Sequence, residues 1–392
     1  MAAQSQKTQA ITSAGFAALK RGEPDTARVL FDQAVSAGAA DASIWFGLSL
    51  VHRSVDASLK EAAALDHALK LDPHHVPSLL AKGDLFARQC DRRAADAYYR
   101  AGMKIAATLP SLPPEWRAEI ERVQAACQGY ARDYEAHLLT ALKAQGLGSP
   151  GTDRFAHAID LLLGKRQIYP QQPKYFYFPE LPQIQFFDRR DFPWAGTLES
   201  EFENIRAEAR AILDAGRGFV PYIQREANRP SFDPRGLLDN PDWGAFFLIK
   251  DGATVAENAA RCPRTFEAIN RLSLCRIDNR SPSVLFSLLR PGARIPPHHG
   301  FMNVRLICHL PLIVPPSCGL RVGNEIRSWR EGELVIFDDS IEHEAWNLSD
   351  EPRAVLIFDV WRPEISEKEQ ALVASMLAAI DEFDGSRPKW TE

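Results

Sequence analysis

Apolar positions recur with a helical period through the first 150 residues of the chain. Within this stretch, three segments share a period of about 34 residues, which is typical of helix-pair repeats. Small residues recur at matching places, with Gly15, Gly47 and Gly83 in the first helix of each unit and Ala34, Ala68 and Ala101 in the second. We expect Phe31, Leu65 and Tyr98 to fill the space between units. The pattern predicts three helix pairs, with one or two further helices over Pro113–Ala144.

A glycine-rich stretch follows the helical region. Residues 145–152, QGLGSPGT, contain three glycines and a proline, which favour turns over regular structure. We therefore predict a helical repeat domain over residues 1–145, a linker over 146–152 and a second domain over 153–392, with its core at about 283–363.

The hydrophobic period changes to two from Ser283 onward. Short apolar runs are separated there by Pro, Gly, Asn and Asp; they read SVLFSLLR, VRLICHLPLI, LRVG, IRSW, ELVIFD and AVLIFDVW. One further strand is predicted earlier, at Ala245–Lys250. Many short strands at this spacing are typical of an all-β sandwich or barrel.

Alternation along the predicted strands places charged groups on an otherwise apolar inner face. Arg305, Ile307 and His309 share one face of their strand. Arg353 and Asp359 share a face of the last strand, together with Val355 and Ile357. Charged side chains inside a small barrel are costly to bury unless they belong to a site. The pattern therefore predicts a polar pocket inside the barrel.

Composition narrows the class of protein. The 392 residues are 45% hydrophobic and 25% charged, as in an ordinary globular protein, and a formal charge of −5 gives no reason to expect nucleic acid as a partner. No apolar run has the length of a membrane span, so we expect a cytoplasmic protein. Six cysteines without a C-x-x-C pair indicate reduced thiols, with Cys262 and Cys275 as the pair to examine for a local bridge.

The pocket residues suit a non-haem iron centre. His298 and His343 are the candidate Fe(II) ligands, because imidazoles on a rigid scaffold leave coordination positions open for O2 and a co-substrate. The co-substrate 2-oxoglutarate needs a buried cation for its far carboxylate. Arg353 suits this role, since a guanidinium pairs with a carboxylate through two parallel hydrogen bonds. Ser287 and His309 are further candidate donors to the co-substrate.

Several motifs resemble one enzyme family. PPHHGFMNVRL, GNEIRSW, FDDSIEHEAWN and LIFDVWRPEI together are similar to the aspartyl/asparaginyl β-hydroxylase family of Fe(II)/2-oxoglutarate oxygenases, over roughly Phe176–Pro363. The resemblance implies a double-stranded β-helix (jelly-roll) fold with flanking helices. It implies the same iron ligands and co-substrate residues, with Arg305 directed toward the substrate or co-substrate. The first domain resembles tetratricopeptide repeats, which vertebrate members of the family also carry before the oxygenase domain.

Two positions refine the resemblance. Most oxygenases of this wider class have a carboxylate two residues after the first histidine, where this chain has Gly300. The family resemblance implies a glycine there, with water in place of the third ligand. Some members carry an arginine where this chain has Ile307, so an acidic substrate does not follow from the resemblance. Asp338 and Asp339 are expected to orient His343 or the backbone, while Asn303 and Arg321 are equally compatible with the pocket or with the structure around it.

These features and the resemblance together predict an Fe(II)- and 2-oxoglutarate-dependent hydroxylase that acts on an aspartyl/asparaginyl-type residue in a peptide or on a related amino-acid substrate. A lipid-linked acyl chain is the alternative substrate. Two other classes stay open: an interaction protein that binds a partner through its repeats and keeps a vestigial oxygenase domain, and a metal-binding barrel with non-oxidative chemistry.

Overall fold

The computed structural model describes residues 2–38, 41–225 and 236–384. The chain divides into two compact units, Met1–Leu163 and Gly164–Glu392. The predicted linker at residues 146–152 lies within the first unit, as does the helix after it, and the predicted domain boundary stays a prediction. Local backbone hydrogen bonds explain this: Leu147 N donates to Leu142 O, and Thr152 N donates to Ser149 O, so the glycine-rich stretch folds as consecutive turns.

The first unit is helical over its described length. Its helices are α1 (Ala2–Lys20), α2 (Pro24–Ser36), α3 (Ala42–Ser54), α4 (Ser58–Leu71), α5 (Val76–Arg88), α6 (Arg92–Ala106), α7 (Pro114–Lys143) and α8 (Asp153–Leu162). The first six pack as the three predicted pairs. The recurring glycines leave room for aromatic rings: a Cβ at Gly15 or Gly47 would lie within 3 Å of the fully buried Phe31 ring. The assignment to tetratricopeptide repeats stays a prediction.

One core residue of the helical unit differs from the prediction. Tyr99, and not Tyr98, packs into the space left by Gly83 and is 2% exposed. The Tyr99 hydroxyl donates a hydrogen bond to Asp84 at 2.7 Å, so its polar end is satisfied. Tyr98 stacks on Phe86 instead. The side chains of adjacent helical residues point about 100° apart, so an error of one residue in aligning the repeats assigns the wrong ring to the core.

The second unit is built on antiparallel strands. Its strands are β1 (Phe186–Phe187), β2 (Val220–Pro221), β3 (Trp243–Lys250), β4 (Ala253–Thr254), β5 (Val284–Leu289), β6 (Arg294–His298), β7 (Arg305–Ile313), β8 (Cys318–Val322), β9 (Glu325–Arg327), β10 (Val335–Phe337), β11 (His343–Asn347) and β12 (Arg353–Trp361). The larger sheet has the order β1-β10-β7-β12-β5-β3-β2, with β4 paired to β3, and the smaller has the order β6-β11-β8-β9. From β5 to β12 the chain crosses repeatedly between the sheets, which is the jelly-roll arrangement. The predicted fold class is confirmed.

Apolar side chains separate the two faces of the larger sheet. Leu306, Cys308 and Leu310 on β7 pack outward with Leu356 and Phe358 on β12. Helices cover this outer face: α9 (Ala195–Ser200), α10 (Phe202–Asp214), α11 (Ala256–Arg261) and α12 (Pro263–Asn270). Helix α13 (Glu367–Asp384) packs in a separate cluster with the chain around Cys275. All six cysteines are free thiols, so Cys262 and Cys275 form no bridge.

The pattern of alternation missed β6 and β11, as well as the two-residue strands β1, β2 and β4. Strands β6 and β11 carry the candidate metal ligands. Strand β6 reads RIPPH and ends at His298, while β11 reads HEAWN and begins at His343. Prolines are unusual inside a strand, because they have no N–H to donate. Strand β6 lies at an edge of the smaller sheet and has a neighbour on one side only, so its prolines are tolerated there. No helix among the described residues has both the length and the apolarity needed to cross a membrane.

Candidate active site

A cavity of about 190 Å³ lies between the two sheets of the jelly roll. The six residues that the sequence predicts for the site all line it: Ser287, His298, Arg305, His309, His343 and Arg353. They come from both sheets, so their meeting depends on the fold and not on proximity in sequence. Ile307, Ile357 and Leu285 add apolar surface to the same wall.

The two candidate metal ligands are neighbours across a strand pair. His298 and His343 are register partners, and their ring centroids lie 4.0 Å apart. Each Nδ1 lies within hydrogen-bond distance of a carbonyl two residues earlier, at 2.8 Å from Pro296 O and 3.0 Å from Ile341 O. A ring whose Nδ1–H donates to a carbonyl keeps its lone pair on Nε2, the form that binds a metal. Burial, reinforced by repulsion from His298, holds the pKa of His343 well below its ordinary value.

A carboxylate occupies the space beside Gly300. A Cβ added at Gly300 would lie 2.0 Å from Oδ2 of Asp339, so any other residue there would displace this side chain. Gly300 N also donates to Asp339 O at 2.6 Å, which joins the two loops that flank the histidines. Among the residues that the structure describes, no three His, Cys, Asp or Glu side chains are grouped to hold a metal. The donor set is therefore a histidine pair with an adjacent carboxylate.

Arg353 presents a buried guanidinium to the cavity. It is 1% exposed, and its Nε and Nη1 have no hydrogen-bond partner. Its Nη2 lies 3.5 Å from the hydroxyl of Ser287, which also accepts from Trp243 Nε1 at 3.2 Å. Burial lowers the pKa of Arg353 to about 10, which leaves it charged at neutral pH. A buried cation with two unpaired donors is a receptor for an anion, because its burial is otherwise uncompensated.

His309 lies on the same face and is neutral. Burial and the nearby charge of Arg353 lower its pKa to about 3. Its Nδ1 is buried without a hydrogen-bond partner. The ring packs edge-on against Phe337, with centroids 5.0 Å apart. Neutral His309 can therefore donate one hydrogen bond to a ligand without adding charge.

Arg305 is held between two carboxylates. Its Nη1 lies 3.2 Å from Asp359 Oδ2, and its Nη2 lies 3.5 Å from Asp339 Oδ2. Burial alone would lower the pKa of Arg305, but attraction to Asp359 and Asp339 outweighs it and raises the pKa above its ordinary value. Alternation along β12 predicts Asp359 on this face, but no sequence pattern indicates its ion pair with Arg305.

Other polar residues buttress the site from outside the cavity. Asp338 accepts from Arg362 at 2.6 Å, from Gln171 at 2.7 Å and from its neighbour Ser340. Asn303 donates to Gln171 at 3.0 Å, so it belongs to this network and not to the pocket. Arg321 likewise lies outside the cavity lining and pairs with Glu342 and Glu344. No sequence pattern indicates the role of Gln171, which precedes Asp338 by 167 positions.

The contacts from residues 171–176 reach both histidine-bearing loops. Gln172 N donates to Ser340 O at 2.7 Å, before His343. Lys174 N donates to Gly300 O at 2.9 Å, after His298. This segment therefore ties the two loops to one piece of chain.

Comparison with known proteins finds relatives of this unit that are named hydroxylases. Residues 199–363 match the family described as aspartyl/asparaginyl beta-hydroxylase. Aspartate beta-hydroxylase domain-containing protein 2 of Xenopus tropicalis is 32% identical over 212 residues, 53% of this chain and 55% of that protein. The ornithine lipid ester-linked acyl 2-hydroxylase of Rhizobium tropici is 34% identical over 194 residues, 47% of this chain and 63% of that protein. Human aspartyl/asparaginyl beta-hydroxylase is 33% identical over 177 residues, 44% of this chain and 22% of that protein.

The chain thus spans about half the length of the first of these relatives and less than two thirds of the others. Among solved structures, a cupin 2 conserved barrel domain protein from Salinispora arenicola is 10% identical, with a TM-score of 0.22, and the match covers 39% of this chain and 99% of that one. A likeness this distant carries no argument about function. The family match includes the strands from β3 to β12 that line the cavity, and the segment from residue 199 to residue 363 of this chain is similar to the aspartyl/asparaginyl beta-hydroxylase family.

Proposed function

We propose that this protein is an Fe(II)- and 2-oxoglutarate-dependent hydroxylase. The observation that carries the proposal is the buried guanidinium of Arg353, which has two unpaired donors in the same cavity as the His298–His343 pair. An anion-binding cation and a histidine pair in one cavity match the two needs of such an enzyme. Similarity to a hydroxylase family agrees with this assignment.

The residues present fit the implied cofactors. His298 and His343 would hold Fe(II) through Nε2, the nitrogens left for a metal by their Nδ1 contacts. Arg353 and Ser287 would hold the far carboxylate of 2-oxoglutarate, and His309 would donate to its metal-side carboxylate without adding charge. When bound, these groups would supply O2 activation, in which one oxygen atom enters the C–H bond and the other enters succinate as CO2 leaves.

The protein itself contributes orientation and exclusion of water. Phe337 and Trp329 pack around His309, and Trp329 also lies under the guanidinium of Arg353 at 4.5 Å. These rings fix both side chains and limit the access of water to the carboxylate site. A dry site strengthens charge-assisted hydrogen bonds, because the local dielectric is low.

The substrate class follows from the family. An aspartyl/asparaginyl-type residue in a peptide is the first candidate, as the family description suggests. An acyl chain is the second, favoured by the apolar wall of Ile307, Leu285 and Ile357 and by the name of the Rhizobium tropici relative. The helical unit is proposed as a surface for a peptide or protein partner.

The test is release of succinate from 2-oxoglutarate by the full chain with Fe(II) and O2. His343→Ala should abolish turnover, while Arg353→Ala should chiefly raise the KM for 2-oxoglutarate. Absence of 2-oxoglutarate binding by the metal-loaded protein would refute the proposal and favour a partner-binding role for the repeats. Activity with zinc in the absence of O2 would indicate non-oxidative chemistry instead.

A further inference from the structure

The charges that line the inner cavity already balance one another. The jelly-roll residues 284–361 that line it include two cations, Arg305 and Arg353, and two anions, Asp339 and Asp359. Fe(II) and 2-oxoglutarate would add equal and opposite charges. A carboxylate on the substrate would therefore enter the cavity without a compensating cation.

Among the described residues, the other basic side chains of the cavity wall lie outside residues 284–361, and the acidic Asp251 lines the wall with them. Arg225 contacts Asp239, Lys250 contacts Gln224, and Arg280 pairs with Asp381. Ile307 lies on the inner wall between Arg305 and His309 and brings no charge. Arg305 is thus the cation placed to meet the reacting part of a substrate, while Arg353 is assigned to the co-substrate.

Arg305 is engaged before a substrate arrives. Asp359 holds it at 3.2 Å and is itself fixed by the backbone N–H of Ser283 at 2.8 Å and by the hydroxyl of Ser281. Asp339 holds the other end of the guanidinium. A substrate carboxylate that approaches Arg305 would face these two anions at close range. Like charges brought together in a buried site oppose binding.

The same group suits a neutral amide. Nε of Arg305 is buried without a hydrogen-bond partner, so it is a donor for a carbonyl oxygen. The oxygens of Asp339 each have two lone pairs and can accept from an amide N–H. A carboxamide supplies one acceptor and two donors on adjacent atoms, and it adds no charge.

We infer that the Asp359–Arg305–Asp339 cluster makes this site selective for a substrate whose reacting segment bears a neutral carboxamide, as in an asparaginyl side chain, and that it rejects the corresponding carboxylate. This inference rests on the proposed function and decides between the two side chains in the family's description. Asp359 is a positioning residue in this scheme, because it acts through Arg305.

The test uses two short peptide libraries that are identical except for Asn or Asp at a fixed central position. Succinate release and the addition of one oxygen atom are measured by mass spectrometry with the Fe(II)-loaded full chain. Binding is measured by calorimetry with Zn(II) and 2-oxoglutarate, which support no oxidation. We expect the Asn library to be favoured by at least about tenfold in both measurements.

The matched variants are Asp359→Asn and Glu199→Gln. Glu199 also accepts from an arginine and a backbone N–H, Arg189 at 3.0 Å and Leu334 at 2.8 Å, but it lies outside the cavity. Asp359→Asn should reduce the preference for Asn over Asp by about tenfold, while Glu199→Gln should leave it unchanged. Affinity for 2-oxoglutarate checks that the variant site is folded, and Asp359→Glu should restore part of the preference.

Each possible result of these experiments either supports the inference or overturns it. Equal handling of the two libraries, a preference for Asp, or binding of neither would overturn the inference while leaving succinate release intact. Hydroxylation of an acyl amphiphile in place of both libraries would overturn it as well. An unchanged preference in folded Asp359→Asn would show that the cluster does not set selectivity. Failure of every probe and of 2-oxoglutarate binding would refute the proposed function itself.

Discussion

His309 should make the second unit sensitive to acid. Its pKa falls from an ordinary 6.5 to about 3 on folding, because burial and Arg353 disfavour the charged ring. A lowered folded pKa means that the unfolded chain binds the proton more tightly. The contribution to stability is therefore present above about pH 6.5 and is lost as the pH falls toward 3. Each pH unit in that window costs about 1.4 kcal/mol, so a change from about pH 7 to about pH 5 costs about 2 kcal/mol.

The variant His309→Gln removes this titration but keeps a hydrogen-bond donor. Unfolding in urea, followed by tryptophan fluorescence of the metal-free protein, gives the free energy of unfolding at each pH. We expect wild type to lose about 2 kcal/mol more than the variant over this interval. His299→Gln, a change at the histidine that directly follows β6, is the matched control and should behave like wild type. Equal losses in wild type and His309→Gln would refute the assignment of a neutral, buried His309.

Three further outcomes follow from packing and hydrogen bonds. Gly300→Ala should weaken metal binding in a calorimetric titration, because its Cβ would displace Asp339. Gln171→Leu should lower the free energy of unfolding in urea by about 1–3 kcal/mol, because the buried carboxylate of Asp338 loses a hydrogen-bond donor. Gln172→Leu changes an exposed side chain and should have little effect. Phe31→Ala should destabilise the helical unit by about 3–5 kcal/mol in thermal or urea unfolding followed by circular dichroism, and a smaller loss would show that the helices close over the space.

Alternation along strands predicted the cavity wall well, because the period of two is enforced by the backbone. Arg305 and His309 on β7 and Arg353 on β12 face the cavity, as expected, while Leu306 and Leu356 face away. The rule works here because each of these strands is long enough to show its period and has one apolar face in a core.

Three other features were beyond the sequence pattern. Strand β6 was not predicted, because two of its five residues are proline and its edge position is known only from the sheet topology. The contacts of Gln171 were not predicted, because a hydrogen bond between residues 167 positions apart produces no periodic pattern in the sequence. The glycine-rich stretch at residues 146–152 does not by itself locate a domain boundary, because such turns look alike whether they join two units or two helices of one unit.

The edge position of β6 has a consequence for exchange with solvent. The strand is held along one side, by β11, and Pro296 and Pro297 have no N–H to exchange or to donate. A strand paired on one side opens locally at lower free energy than a central strand. A metal shared by His298 and His343 would join β6 to β11 by a second bond. Hydrogen exchange at Arg294, Ile295 and His298 should therefore slow when metal binds, which would make the strand that carries one ligand a local reporter of metal occupancy.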